Sequence, residues 1–114
     1  MRRPNMSRTI RSWATTHRVK TVTRLTVDFE PADVVVGRDV EAVVQPADKT
    51  KLNPAAIDWS LRYLQVHALT PLKGGEFIEY EGADFKLVDD TKFSENGFHL
   101  GTAEETKRPV LVET

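Results

Sequence analysis

Cysteine is absent from this 114-residue chain, which excludes disulfides, thiolate metal sites and cysteine nucleophiles. Long apolar runs are missing too. No stretch approaches the ~20 residues that a membrane-spanning helix needs, and the basic start of the chain holds no apolar h-region of the kind a secretory signal carries. Glycine and proline number only 6 each and aromatic residues make up 8%, so the composition is neither collagen-like nor low-complexity. With hydrophobic residues at 39% and charged residues at 29%, the chain has the makings of one globular domain able to bury a core. The expectation is a soluble protein made, or assembled, inside a cell.

Acidic residues are also missing from the front of the chain. Before Asp28 the only charges are Arg2, Arg3, Arg8, Arg11, Arg18, Lys20 and Arg24. The net charge of −1 therefore conceals seven positive charges at the start and an excess of acids after them. Such asymmetry marks a tail that docks on something acidic, either nucleic acid or the body of another copy. Ile10, Trp13 and Ala14 fall at helical spacing, so residues 1–18 read as a basic, partly helical arm. Trp13, a large apolar ring in a polar segment, is expected to anchor it.

From Val19 the pattern is β. Residues 19–29 alternate, with Val19, Leu25, Val27 and Phe29 on one face, and Pro31 is expected to end the strand. A second strand is expected from Val34 to Gln45, interrupted near Gly37, and a loop from Pro46 to Ile57 with a helical turn near 51–56. The next strand is expected from Asp58 to Leu69. Its apolar face switches midway from Trp59, Leu61 and Tyr63 to Leu64, Val66 and Ala68, which implies a bulge or burial on both sides. Phe77–Tyr80 and Phe85–Val88 read as a hairpin around residues 81–84. Asn96-Gly97 is a turn leading into a strand at Phe98–Ala103, and Val110–Val112 is an edge strand or an extended tail. The fold class expected is all-β: a small antiparallel barrel or sandwich of five to seven strands over residues 19–114, preceded by the arm.

Motifs for chemistry are scarce. His17, His67 and His99 lack metal-ligand spacing and read as packed or surface residues. None of Ser7, Ser12, Ser60 and Ser94 sits in a nucleophile elbow. Glu79 and Glu81 share a strand face, but alternation of Glu with large apolar residues describes any half-buried strand. Asp89-Asp90 suits a turn and lacks the spaced oxygen donors of a calcium loop. Lys73-Gly74-Gly75 has its lysine on the wrong side of the glycines for a phosphate loop. No cofactor, metal site or catalytic residue is expected. The candidate residues are interface residues instead: Ile10 and Trp13 as apolar anchors, Arg8, Arg11 and Arg18 as charge partners, and Asp48, Lys49 and Lys51 in a docking loop.

Several segments, taken in order, resemble a known family. Val44-Gln45-Pro46 forms a corner, and Asp58-Trp59-Ser60-Leu61-Arg62-Tyr63 follows. Then Ile78-Glu79-Tyr80-Glu81-Gly82-Ala83-Asp84-Phe85-Lys86-Leu87 leads to the Asp89-Asp90 turn and Asn96-Gly97-Phe98. Over roughly residues 20–105 this is similar to the head-closure, or stopper, proteins of the tailed-bacteriophage neck. The resemblance implies a small β-barrel without catalytic residues, in a homo-oligomeric ring of on the order of six or twelve copies. It also implies contacts with portal or adaptor and tail proteins, a passing contact with packaged DNA, no membrane, and residence in virions assembled in the host cytoplasm. A tail-completion or baseplate component is the related alternative, and a small-barrel nucleic-acid-binding module with a basic arm is the alternative from another class.

Overall fold

The computed structural model describes residues 13–52, 54–93, 97–107 and 109–114. Its elements are seven strands: β1 (Thr15–Val27), β2 (Glu30–Pro46), β3 (Tyr63–Ala68), β4 (Phe77–Tyr80), β5 (Ala83–Leu87), β6 (Lys92–Phe93) and β7 (His99–Glu105). Two 3-10 turns, Lys49–Lys51 and Pro54–Ala56, fill the loop between β2 and β3. All strands lie in one antiparallel sheet of order β3-β2-β1-β4-β5-β7-β6, and β3 pairs again with β7. The pairings therefore form a closed cycle, with β6 added along β7.

The core lies inside that cycle. Val19, Val40, Ala42, Leu64, Val66, Ala68, Leu72, Ile78, Phe85, Leu87 and Ala103 form one buried cluster. Ala42 is paired with Ala68, and Ala103 with Leu64 and Leu87. Small residues at these crossings let strands converge around Phe85 and Ile78, which are fully buried. Val66, Leu64 and Ala68 face inward by strand alternation. Of the other apolar set expected on this strand, Tyr63 opens it and Trp59 and Leu61 precede it: Asp58–Ser60 is a turn, closed by the Asp58 carboxylate accepting from the Ser60 amide at 2.9 Å and hydroxyl at 2.6 Å. The apparent switch of face is thus a turn running into a strand, and Trp59 stands largely exposed.

The first hairpin departs furthest from the sequence reading. β1 begins at Thr15, so Thr15–Arg18 pair with Ala42–Asp39 inside the sheet. A helical N-terminal arm is not supported: Thr15–Arg18 of its described end are strand, and residues 1–12 lie outside the described residues. The turn is Asp28-Phe29, and Pro31 already pairs with Thr26 inside β2. Proline is tolerated there because that side of β2 is a sheet edge, where no ladder partner needs its missing N–H. β2 also runs without a break through Gly37.

β1 is bonded to β4 only through Val19 and Lys20, and β2 to β3 only from Ala42 onward. Beyond Lys20 the hairpin is therefore a two-stranded ribbon of seven residues per strand, projecting about 23 Å at the usual strand rise. The C-terminal residues form no strand but bind its base. Thr114 and Val35 exchange two hydrogen bonds, amide to carbonyl at 2.9 Å and amide to hydroxyl at 3.0 Å.

Candidate interaction surface

A two-stranded ribbon is marginal in water unless something packs on it, so the anchoring of this one matters. Glu76, just before β4, provides the anchor. Its carboxylate accepts from both terminal nitrogens of Arg38 on β2, at 2.6 and 3.0 Å, from the Thr21 hydroxyl on β1 at 2.7 Å, and from the Lys73 amide at 2.8 Å. Burial opposes its charge, but these four donors prevail and hold the Glu76 carboxyl at about 2. A second polar centre lies on the opposite face of the ribbon base. The Lys20 ammonium, buried, meets Asp84 at 3.1 Å and Glu79 at 3.0 Å, and Asp84 also accepts from the Leu111 amide at 2.7 Å. Desolvation works against the Lys20 charge, yet its two carboxylate partners raise its pKa above the ordinary lysine value.

Past these anchors the ribbon is open on both faces, except where Val35 is covered. By register, Thr21, Thr23, Leu25, Val34 and Val36 share a side, and Val36 and Leu25 are about half exposed. The other side carries Val22, Arg24, Asp33 and Val35, and only Val35 is buried, under the C-terminal residues. Asp28 and Phe29 form the turn with φ of 50° and 67°, the two-residue geometry that matches strand twist. Asn-Gly suits that geometry best, whereas phenylalanine in the left-handed region costs about 1–2 kcal/mol. Phe29 is nevertheless there, and it is 100% exposed.

The outer wall over β3 and β7 carries a groove of about 400 Å³. Leu52, Ile57, Val88 and Leu100 supply its apolar lining, with Tyr63 between them and Asp89, Asp90 and Lys92 along the rim. Tyr63 is fixed there by donating to Glu104 at 2.6 Å and accepting from the Asp58 amide at 2.9 Å.

The residues singled out from sequence are dispersed. Arg8, Ile10 and Arg11 lie outside the described residues. Trp13 is described and is 75% exposed. Arg18 is engaged within the chain: its guanidinium donates to Glu113 at 2.7 Å and to Asp39 at 2.9 Å, which raises its pKa further. Asp48 caps the first 3-10 turn by accepting from the Thr50 amide. Lys49 donates to the Trp59 carbonyl at 3.0 Å and lies 6.0 Å from the Trp59 and Tyr63 ring centres. The backbone of Lys51 ends that turn.

Glu79 and Glu81 part company, one to Lys20 and the other to Arg62 at 3.5 Å. His67 packs against Phe98 with ring centres 5.0 Å apart and planes inclined at 58°, and burial lowers its pKa. No group of three or more metal-ligating side chains occurs among the described residues, and no described helix is long and apolar enough to cross a membrane. Sequence reasoning missed Glu76, Lys20, Asp84 and Phe29 as special residues. The first three act across separations of 38 to 64 residues, which no local pattern encodes.

No known family model matches the chain, and no characterised protein matches it.

Proposed function

We propose that this protein is a non-enzymatic structural subunit of a tailed-bacteriophage virion, a ring-forming component of the head–tail neck built on a small β-barrel. The observation that carries the reading is the projecting ribbon with Phe29 at its tip and an open face of Val36 and Leu25. A body whose strands pair in a closed cycle needs no covering of its own. An apolar ribbon reaching out of it does, and in a closed assembly the neighbouring subunit is there to supply it. The order of motifs from Val44-Gln45-Pro46 to the Asn96-Gly97-Phe98 turn supports the resemblance to head-closure proteins, and a tail-completion or baseplate component is the alternative station.

Negative-stain imaging and light scattering of the purified protein are expected to show closed rings, and peptide mapping of purified particles is expected to find the chain in the virion. A monomer at all concentrations, together with absence from particles, overturns the proposal. Steep loss of affinity for DNA as salt rises would instead favour the nucleic-acid-binding alternative.

A further inference from the structure

We infer that the groove over β3 and β7 receives the N-terminal segment, residues 1–13, of a second copy of this chain. The inference deepens the ring reading and rests on it, since it names the contact through which neighbouring subunits hold one another.

Charge is the first argument. Of the seven cations at the front of the chain, the three within the described residues are satisfied internally: Arg18 by Glu113 and Asp39, Lys20 by Asp84 and Glu79, and Arg24 by Asp33 at 3.0 Å. The remaining four, Arg2, Arg3, Arg8 and Arg11, fall in residues 1–12, which contain no acid. Residues 13–114 hold the other twelve Lys and Arg against 17 acids, a net charge of −5 facing a segment of +4. The groove rim carries Asp89 and Asp90, both exposed, beside the single cation Lys92, and Asp90 also accepts from the Gly74 amide at 2.8 Å. The segment and the rim are complementary, which favours encounter and fixes register.

Apolar chemistry is the second. The apolar lining of Leu52, Ile57, Val88 and Leu100, the last two exposed, suits a hydrophobic side chain flanked by cations, and the segment offers Ile10 and Trp13 among its arginines. Tryptophan and arginine are also the residue types that most often dominate interface energies when seated in a pocket.

Reach and position are the third. Twelve residues extend to about 40 Å, enough to cross to an adjacent subunit. Trp13 is three-quarters exposed in its own subunit, and it is not among the residues lining that subunit's groove. It leads into β1, which is separated from β3 by β2.

The full chain tests this with Trp13 replaced by the photocrosslinker p-benzoylphenylalanine, in equal mixtures of light and heavy isotope chains. The expected result is crosslinks from position 13 to the peptides around Val88–Lys92 and Leu100, half of them joining light to heavy chains. A second measurement uses sedimentation. The surface changes Leu100→Asp and Asp89→Lys/Asp90→Lys are expected to weaken self-association at least tenfold while leaving the circular dichroism unchanged, and Arg8→Glu/Arg11→Glu is expected to restore the charge-reversed groove. Crosslinks confined to single chains, crosslinks elsewhere, absence of self-association, or full association of the groove variants each overturn the inference. Rings that enter virions with position 13 crosslinked elsewhere would defeat the groove and spare the neck reading. Association through the groove in a protein absent from virions would do the opposite.

Discussion

Replacing Glu76 by glutamine removes the charge that ties the ribbon to the body while keeping the size of the side chain. In the folded protein its carboxyl is held at about 2, against an ordinary 4.5. At about 1.4 kcal/mol per pH unit, that difference corresponds to about 3 kcal/mol of stability at neutral pH. Arg38, the main partner, is roughly half exposed, and solvent screening brings the expectation to about 2–3 kcal/mol. For a domain of this size that is a fall of about 10 °C in melting temperature.

The sign with pH follows from a depressed carboxylate. The contribution is complete above 4.5 and is lost as pH falls from 4.5 toward 2, because the unfolded chain takes up the proton first. Urea unfolding of the wild type and Glu76→Gln across this range should therefore give curves separated by about 2–3 kcal/mol at pH 7 and at pH 5, converging by pH 2. Glu105, Glu113 and Asp58, also lowered by their donors, titrate in both proteins and cancel in the difference. A separation below about 0.5 kcal/mol at pH 7, or one that stays constant down to pH 2, would refute the reasoning.

Lys20→Ala leaves Asp84 buried without its cation and should cost about 3–5 kcal/mol, whereas Lys20→Met with Asp84→Leu should recover most of it; thermal unfolding of both variants checks the pair. Phe29→Gly relieves a left-handed phenylalanine, so the isolated domain should hold or gain up to about 1 kcal/mol while self-association measured by sedimentation weakens. A Cβ at Gly37 would meet the Glu113 carboxylate and the Arg18 guanidinium. Gly37→Val should therefore release the C-terminal residues, seen as faster carboxypeptidase trimming with only a small change in unfolding midpoint. Phe85→Ala, at the centre of the core, should cost about 3–5 kcal/mol in urea unfolding.

Alternation alone was enough to reveal most of the strands. Val40, Ala42 and Val44, then Leu64, Val66 and Ala68, then Ile78 with Phe85 and Leu87 all face the interior as period-two patterning requires. The second hairpin was legible in place but not in length: read as turning over residues 81–84, it turns at Glu81-Gly82, where Gly82 accepts a φ of 76°, and Ala83 and Asp84 already pair in β5. The Asp28-Phe29 turn was not legible, because phenylalanine disfavours the left-handed region and Pro31 nearby looked like the stop. Thr15–Arg18 read as arm because their polar side chains show no apolar face, yet the backbone of β2 recruits them into the sheet. Trp59 read as part of a strand's apolar face because nothing local separates a turn tryptophan from a strand one.

Tertiary structure alone decided which charges matter. Arg18, expected to reach for a neighbour, is held by Glu113, 95 residues away. Lys20, indistinguishable in sequence from any strand lysine, is buried against Asp84. Glu76 becomes the ribbon's anchor only because the pairing of β2 with β1 and of β1 with β4 brings Arg38 and Thr21 to it. Side-chain periodicity is set by neighbours along the chain and can be read there. The partner of a charge is set by which strands lie side by side, and that exists only once the chain has folded.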